Sequence, residues 1–533
     1  MTDGGAYEAG TTRVKGGLVR ADWGIAVSCT SEDLPLFAVD GRQGQDPRDW
    51  WRAFLQVIHA MLDRANESEQ MFGPADVAGI IMSGQMQDLI TLDDRLNPVR
   101  HAILYSDGRA DREAQEMAET LDGRAFRNIT GNRLEGSLPL PKLMWLKRHE
   151  PENFAKIRHV LFDAKDYLTA RLTGTFSADV VASSTVGAMD IHRRLWNTRL
   201  IDAAGINRTL FPALRNPQEQ VGRVTDMAAK LTGLAPGTPV FAGIGDAGAT
   251  TLASGVTRPG EYNINIGTSG WIAAISPEPI TNREGVANLA CTTAGDTGHA
   301  TGGGVINGVP FLNAGNVHRW ATSMFAGCHG DTININDANH DTNNYANMST
   351  MLAGSAPGSH GVLCLPYLSG ERFPVMNASI RGAYVGISAD TTAADMARAA
   401  LEGVAFSIRQ GLETFAVEPV HISLIGGGAR ERVWCQIMAD VLGHRIDVFR
   451  NAEVLPAAAL AFLAQYSLGC IPSLDEVSAR LSARRESVTY EPHSRDVSLY
   501  DNVYGQYRRL YPAINSLKRE LLGAEQTREV HDD

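Results

Sequence analysis

Short apolar runs recur along the chain, each leading through small residues into apolar positions at helical spacing. "VAGIIMS" at Val77–Ser83 predicts a short buried strand. "VFAGI" at Val240–Ile244 predicts another, and "GDAGATTLASG" after it reads as a turn entering a helix. "HISLI" at His421–Ile425 leads into "GGGARERVWCQIMADVLG", a glycine turn and then an amphipathic helix. Ala393–Phe415 carries Met396, Ala400, Val404 and Ile408 on one helical face. Strands alternating with helices predict α/β domains with largely parallel pairing. "TRPGEY" at Thr257–Tyr262 has the Pro-Gly punctuation of a linker and puts a domain boundary near mid-chain. Residues 325–358, rich in Asn, Gly, Ser and Asp, read as a surface insertion. From about Val488 the chain reads as connecting and terminal helices.

Two small hydroxylated turns interrupt this pattern, about half the chain apart. One is "EAGTTRVK" at Glu8–Lys15 and the other "NINIGTSGW" at Asn263–Trp271. Glycine lets backbone approach a phosphate closely, and successive N–H groups with short hydroxyls form an anion-binding nest. Two such tips across a cleft would grip one polyphosphate from both sides. The plain alternative is a pair of ordinary hairpin turns, since Gly, Ser and Thr are common turn residues.

Composition narrows the setting. At 533 residues two domains are the prior, and 44% apolar with 20% charged residues is ordinary for a globular protein. No apolar run is long enough to span a membrane, and the N-terminus has neither a basic nor an apolar leader region. The net charge of −12 argues against broad binding to nucleic acid or anionic membrane. The six cysteines form no C-x-x-C pair and read as reduced thiols of a cytoplasmic protein.

Longer motifs then tie these pieces together. "SLPLPKLMWLKRH" (Ser137–His149) and "GAYVGISADTTAADMARAALE" (Gly382–Glu402) fit the two signatures of the FGGY carbohydrate kinases. "SGQM", "LYSDGRA", "GDAGA", "GTSG", "PYLSGERFP" and "GGGA" follow in the family's order, so the chain resembles that family over nearly its whole length. Its xylulose kinase members, which act on a pentulose, are the nearest in pattern. The resemblance implies a two-domain actin/hexokinase/Hsp70-like fold with ribonuclease H-like cores and a central cleft. It suggests an N-terminal sugar-binding domain over 1–258, a C-terminal nucleotide-binding domain over 259–486 and a helical tail over 487–533. It implies ATP and Mg²⁺ as cofactors and a small sugar or polyol as substrate, with a homodimer as a common assembly.

Residue roles follow from both readings. Asp246 comes after a predicted strand and opens a helix, where a side chain projects from the carboxyl end of a sheet. Phosphoryl transfer needs positioning, charge stabilisation and a carboxylate to take the hydroxyl proton, and the family gives this Asp that role. Read locally, Asp246 is a helix N-cap, and both roles can coexist. Gly10, Thr11, Thr12, Gly267, Thr268 and Ser269 are the expected phosphate contacts, with Lys15 as an added cation. Gly426, Gly427, Gly428 and Ala429 form the turn that the family places against the adenosine. For the sugar, the resemblance points to Gln85, Met86, Gln87, Asp107, Arg109 and Asp246. Glu371 and Arg372 read as domain-holding ion-pair formers.

Three departures qualify the match. The family has Asp where this chain has Glu8, and "MTDGGAY" before it reads as a truncated or rewritten strand, which bears on the metal site. Xylulose kinases usually read Gln-Met-His-Gly where this chain has Gln85-Met86-Gln87-Asp88. "EVLPAAALAFLA" lacks the usual Leu-Gly before its alanines. The substrate alternatives are ribulose, gluconate, glycerol or a tetritol, and the rewritten strand raises a lapsed kinase that only binds sugar or nucleotide. "GIGDAG" at Gly243–Gly248 matches a dinucleotide fingerprint, but Glu261 precedes its strand rather than closing it.

Overall fold

Two α/β halves share one strand logic, each built on a seven-stranded sheet. The computed structural model describes residues 3–19, 25–39, 42–66, 73–293, 303–326, 338–450, 452 and 455–517. The first sheet contains β1 (Asp3–Ala9), β2 (Val14–Val19), β3 (Ile25–Thr30), β4 (Val77–Gly84), β5 (Gln220–Arg223), β6 (Pro239–Phe241) and β7 (Ile244–Gly245). Its order is β5-β6-β4-β1-β2-β3, with β7 also beside β4. The second contains β8 (Glu261–Ile266), β9 (Gly270–Ser276), β10 (Ala287–Cys291), β11 (Gly304–Phe311), β12 (His421–Ile425), β13 (Ile446–Phe449) and β14 (Ser487–Tyr490). Its order is β10-β11-β9-β8-β12-β13-β14. In both, an antiparallel meander begins the half and its first strand pairs in parallel with a later one: β1 with β4, β8 with β12. The repeated turn of the sequence is therefore the first hairpin of each half.

The helices that matter below are α1 (Pro47–Asn66), α2 (Pro139–His149), α3 (Ala164–Thr173), α4 (Asp246–Ser254), α5 (Gly315–Ala321), α6 (Ala338–Gly354), α7 (Ala393–Leu412), α8 (Arg432–Leu442), α9 (Leu455–Ser467) and α10 (Ser494–Tyr507). Thr392 starts α7 with a reciprocal capping box to Asp395, and Ala400, Val404 and Ile408 are buried as the periodicity predicts. No helix among the described residues is long and apolar enough to cross a membrane. Cys29, Cys291, Cys364 and Cys435 are buried, and Cys328 lies outside the described residues.

Alternation on β4 serves two cores. Ile80 and Met82 face the first half's own core with Trp50, Phe54 and Met61 of α1. Ile81 faces the other way, into a core shared by both halves. That shared core gathers Ala6 and Ile244 from the first sheet, Ala273, Leu289 and Val305 from the second, and Leu460 and Leu463 from α9. Near it, Asn132 Nδ2 donates to Asn288 O at 2.8 Å and Asn288 Nδ2 to Gly131 O at 2.7 Å, pinning the halves together.

Four local readings change. β1 is a full strand despite "DGG", because ladders on both sides, to β2 and β4, hold its glycines extended. Residues 338–354 form α6, whose Met348 and Leu352 are buried in the second half's core, so this part of the supposed surface insertion is structural; residues 327–337 lie outside the described set. "VFAGI" is split into β6 and β7 at Gly243, where φ is +73° and a Cβ would meet Met82 O at 2.0 Å. Among the described residues neither Glu371 nor Arg372 makes an ion pair; Glu371 is buried and accepts from Leu312 N at 2.7 Å and Asn313 Nδ2 at 2.9 Å, organising a loop.

Candidate active site

The carboxyl ends of β1, β4 and β7 lie side by side, because Glu8 pairs with Ser83 and Ile244 pairs with the same Ser83. Open α/β sheets bind ligands at such ends. Asp246 follows β7 directly as the first residue of α4, and its Oδ1 accepts from Ala247 N at 2.7 Å. Burial raises its pKa from 3.8 to about 6, and the negative charge of Glu8 pushes the same way. The local reading of Asp246 as the N-cap is corrected: Gly245 is the N-cap, without a side-chain cap bond, and Asp246 is the first helical residue.

Beside it stands the first hairpin tip. Gly10 N donates to Arg13 O at 3.1 Å, Thr11 O accepts from Gln45 Nε2 at 2.7 Å, and Thr12 O accepts from Leu34 N at 2.7 Å. Two of the tip's carbonyls are thus drawn back to the scaffold. Lys15 sits opposite Glu8 across the hairpin, with Nζ 3.4 Å from Glu8 Oε2. Under the strand ends lies a buried cation: Lys165 Nζ is 2.6 Å from Asp179, 2.7 Å from Asp166 and 3.4 Å from Asp163. Burial opposes the Lys165 charge, and the three carboxylates outweigh it, holding its pKa well above the usual lysine range.

The loop after β4 carries the expected sugar residues. Gln85 is buried, and its Nε2 donates to Gln45 Oε1 at 3.1 Å. Met86 packs on Gly245, where a Cβ would meet its sulfur at 2.4 Å. Gln87 takes φ +66° and donates to Ser137 Oγ at 2.9 Å. Asp107 and Arg109 bind each other through two bonds of 2.9 and 2.6 Å, and Asp107 also accepts from Gln43 N at 2.6 Å. Arg109 lies 4.9 Å over the Trp145 ring of α2. In the first signature, Lys142 is buried and donates to Leu104 O at 2.7 Å and Gln87 O at 3.3 Å; burial pushes its pKa down to about 8.

The second tip, Gly267–Ser269, joins β8 to β9. Its carbonyls accept from the start of α5, Gly315 N to Gly267 O and Asn316 N to Thr268 O, both at 2.9 Å. Arg319 Nη2 donates to Thr268 Oγ1 at 3.1 Å. Gly267 and Thr268 of this tip, but not Ser269, line a cavity of about 650 Å³ together with Gly427, Gly428, His318, Tyr345 and Glu431. The His318 ring stacks between Tyr345 and Trp434 at 5.4 and 5.5 Å. Gly426 has φ +97° and Gly428 packs on Ile266, so the glycine turn lies tight against the end of β8. Ala429 faces a neighbouring space of about 760 Å³ with Thr250, one turn along α4 from Asp246.

Gly10–Thr12, Glu8, Gln85 and Asp246 thus converge on one set of strand ends, while Gly267, Thr268, Gly427 and Gly428 share one cavity. Sequence reasoning missed Gln45, Lys165, Arg319 and Tyr345. "DAKD" at Asp163–Asp166, a lysine flanked by acids, was a readable signal for one of them. Tyr345 sits in the stretch whose composition masked a helix.

Comparison with known proteins accords with this geometry. The N-terminal domain of the FGGY family of carbohydrate kinases matches residues 6–253, and the C-terminal domain matches 262–465. A xylulose kinase of Staphylococcus epidermidis is 29% identical over 520 residues, covering 97% of each chain. A gluconokinase of Bacillus subtilis is 27% identical over 519 residues, covering 96% of this chain and 95% of its own. The crystal structure of xylulose kinase from Rhodospirillum rubrum superposes with a TM-score of 0.85 at 27% identity, over 97% of this chain and 99% of that one. The architecture is the two-domain actin/hexokinase-like one. With family models matching both halves, the chain belongs to the FGGY family of carbohydrate kinases, phosphotransferases acting on a sugar hydroxyl.

Proposed function

We propose that this protein transfers the γ-phosphate of ATP to a hydroxyl of a pentulose such as xylulose. Asp246 carries the proposal: a half-buried carboxylate at the strand ends, with a pKa raised to about 6, takes the hydroxyl proton near neutral pH. The hydroxyl oxygen then attacks the phosphorus in line as the bond to the β-phosphate oxygen breaks. Gly10, Thr11 and Thr12 hold the phosphates from the first half, with Lys15 beside them; Gly267, Thr268 and Ser269 hold them from the second. Gly427, Gly428 and Ala429 seat the adenosine. Gln85, Met86 and Gln87 orient the sugar. Asp107 and Arg109, bonded to each other, shape the wall of the pocket through Trp145.

Mg²⁺ fits the donor set. Glu8 and Asp246 are oxygen donors whose charges repel across the strand ends, and a hard cation held by Glu8 relieves that repulsion. When bound, it neutralises charge on the transferring phosphate.

The xylulose assignment rests on the relatives' names, and Gln87-Asp88 in place of His-Gly leaves gluconate as the rival. ADP release by the purified protein against xylulose, ribulose, gluconate, glycerol and a tetritol tests both levels. Turnover with xylulose that vanishes in Asp246→Asn supports the proposal. Preference for gluconate overturns the substrate, and no turnover with any sugar overturns the chemistry.

A further inference from the structure

Gln87 lies three residues past β4 and one past Met86, which packs against Gly245 beside Asp246, so its half-buried side chain belongs to the strand ends where the sugar is proposed to sit. Its backbone is fixed first. A φ of +66° is one that side-chain-bearing residues rarely adopt, and the buried Lys142 ammonium holds the Gln87 carbonyl at 3.3 Å. Its amide is fixed next. The oxygen and nitrogen ends have the same shape, so their partners decide which way the group points. The partner of the nitrogen end is Ser137 Oγ, 2.9 Å from Gln87 Nε2. A hydroxyl has one hydrogen, and Ser137 gives it to Glu135 Oε1 at 2.6 Å. An ionised carboxylate can only accept, so that hydrogen is committed. Ser137 can then only accept from Gln87, and a turned amide would set oxygen against oxygen. The Gln87 oxygen accepts no bond from the described residues and stays open to solvent.

We propose that Glu135 and Ser137 set Gln87 as a hydrogen-bond acceptor facing the substrate, so that the protein selects a neutral polyhydroxy compound and rejects an aldonate such as gluconate. A sugar hydroxyl can donate to Gln87 Oε1. A carboxylate in its place sets acceptor against acceptor, a repulsive element that discriminates between the two. The nearby cations do not offset this. Lys142 is buried and directs its bonds to the carbonyls of Leu104 and Gln87. Arg109 is held in two bonds by Asp107, and Arg42 is stacked on the Trp145 ring at 5.7 Å. Asp107, Glu135 and Asp246 add negative charge around the loop. Ser137 and Glu135 are thus positioning residues that act through Gln87. The proposal rests on the reading of Gln85–Gln87 as the sugar loop, and on no step of phosphoryl transfer.

Calorimetric titration of the purified protein without ATP reads selection apart from chemistry, with xylulose, ribulose, glycerol, a tetritol and gluconate as ligands. The best-bound neutral compound should bind at least about tenfold more tightly than gluconate. Ser137→Ala frees the amide to turn its N–H groups outward, and that ratio should narrow about fivefold, the equivalent of roughly one lost bond. Ser137→Thr keeps the hydroxyl and should hold the ratio within about twofold of the parent. Glu135→Ala should act like Ser137→Ala, although Glu135 is exposed and bonds Ser137 rather than Gln87, because Ser137 regains a hydrogen to give. Its effect should persist in about 0.5 M salt, which screens exposed charges. Gluconate bound as tightly as the best neutral compound overturns the proposal. So does an unchanged ratio in either Ala variant, a Glu135→Ala effect that salt abolishes, or binding of none of the five compounds. Selective binding of a neutral compound without phosphoryl transfer upholds the proposal and overturns the kinase reading instead.

Discussion

Replacing Asp246 by Asn should abolish turnover while making the protein more stable. The rise of its pKa from 3.8 to about 6 means that keeping it ionised costs the folded state at most about 3 kcal/mol, at 1.36 kcal/mol per pH unit. Residual solvent contact at Asp246 makes this an upper value. The sign follows from linkage: the folded pKa of an acid is raised, so the cost is absent below pH 3.8, grows between 3.8 and about 6, and is complete above. Asn still accepts from Ala247 N–H, so the helix start is kept. Denaturant unfolding at pH 8 should therefore favour Asp246→Asn, with the gain shrinking towards pH 4. The same shift governs rate. With both substrates far below KM, the free enzyme at pH 5 should work about tenfold slower than at pH 8, because only about a tenth of Asp246 is ionised. An unshifted aspartate would be almost fully ionised at pH 5. A flat profile down to pH 5, together with an Asn variant no more stable than the parent, would refute the assignment of Asp246 as a desolvated base.

Gly427→Ala and Gly428→Ala should part company. Nothing lies within 4 Å of a Cβ at Gly427, so that variant should fold normally and lose nucleotide affinity, read by calorimetric titration. A Cβ at Gly428 would meet Ile266 at 2.4 Å and Trp434 at 2.8 Å, so that variant should lose stability as well. Lys165→Met leaves three buried acids without their cation and should cost about 3–5 kcal/mol, seen as a lower unfolding midpoint. Asn288→Ala removes side-chain bonds to Gly131, Ile280 and Asn307 and should cost about 2–4 kcal/mol in the same assay.

Much of this architecture was legible where one local rule acts alone. "HISLI" is β12 and Ala393–Leu412 is α7, because apolar period and capping agree there. The two Gly-Thr turns were legible as a pair, since hairpin tips leave a compositional trace. Legibility failed where tertiary contacts overrule composition. β1 survives its glycines through ladders on both sides, and α6 is helical because Met348 and Leu352 are buried, although its surroundings look like loop. The site shows the same division. Asp246 and the tips announce themselves by position after a strand. Gln45 meets Gln85 across 40 residues of chain, Lys165 needs the fold to bring Asp179 to the local pair Asp163 and Asp166, and Tyr345 needs α6 to be a helix before it can reach the cavity.

The core shared between the sheets has a consequence for how the chain matures. The cover of Ala6, Ile81 and Ile244 is completed only once Ala273, Leu289, Val305 and α9 have been made. The leading half therefore leaves the ribosome with one apolar face only partly covered and must be shielded from self-association until the rest is made. Once assembled, neither half can open without stripping the other, so the pair should melt as one cooperative unit.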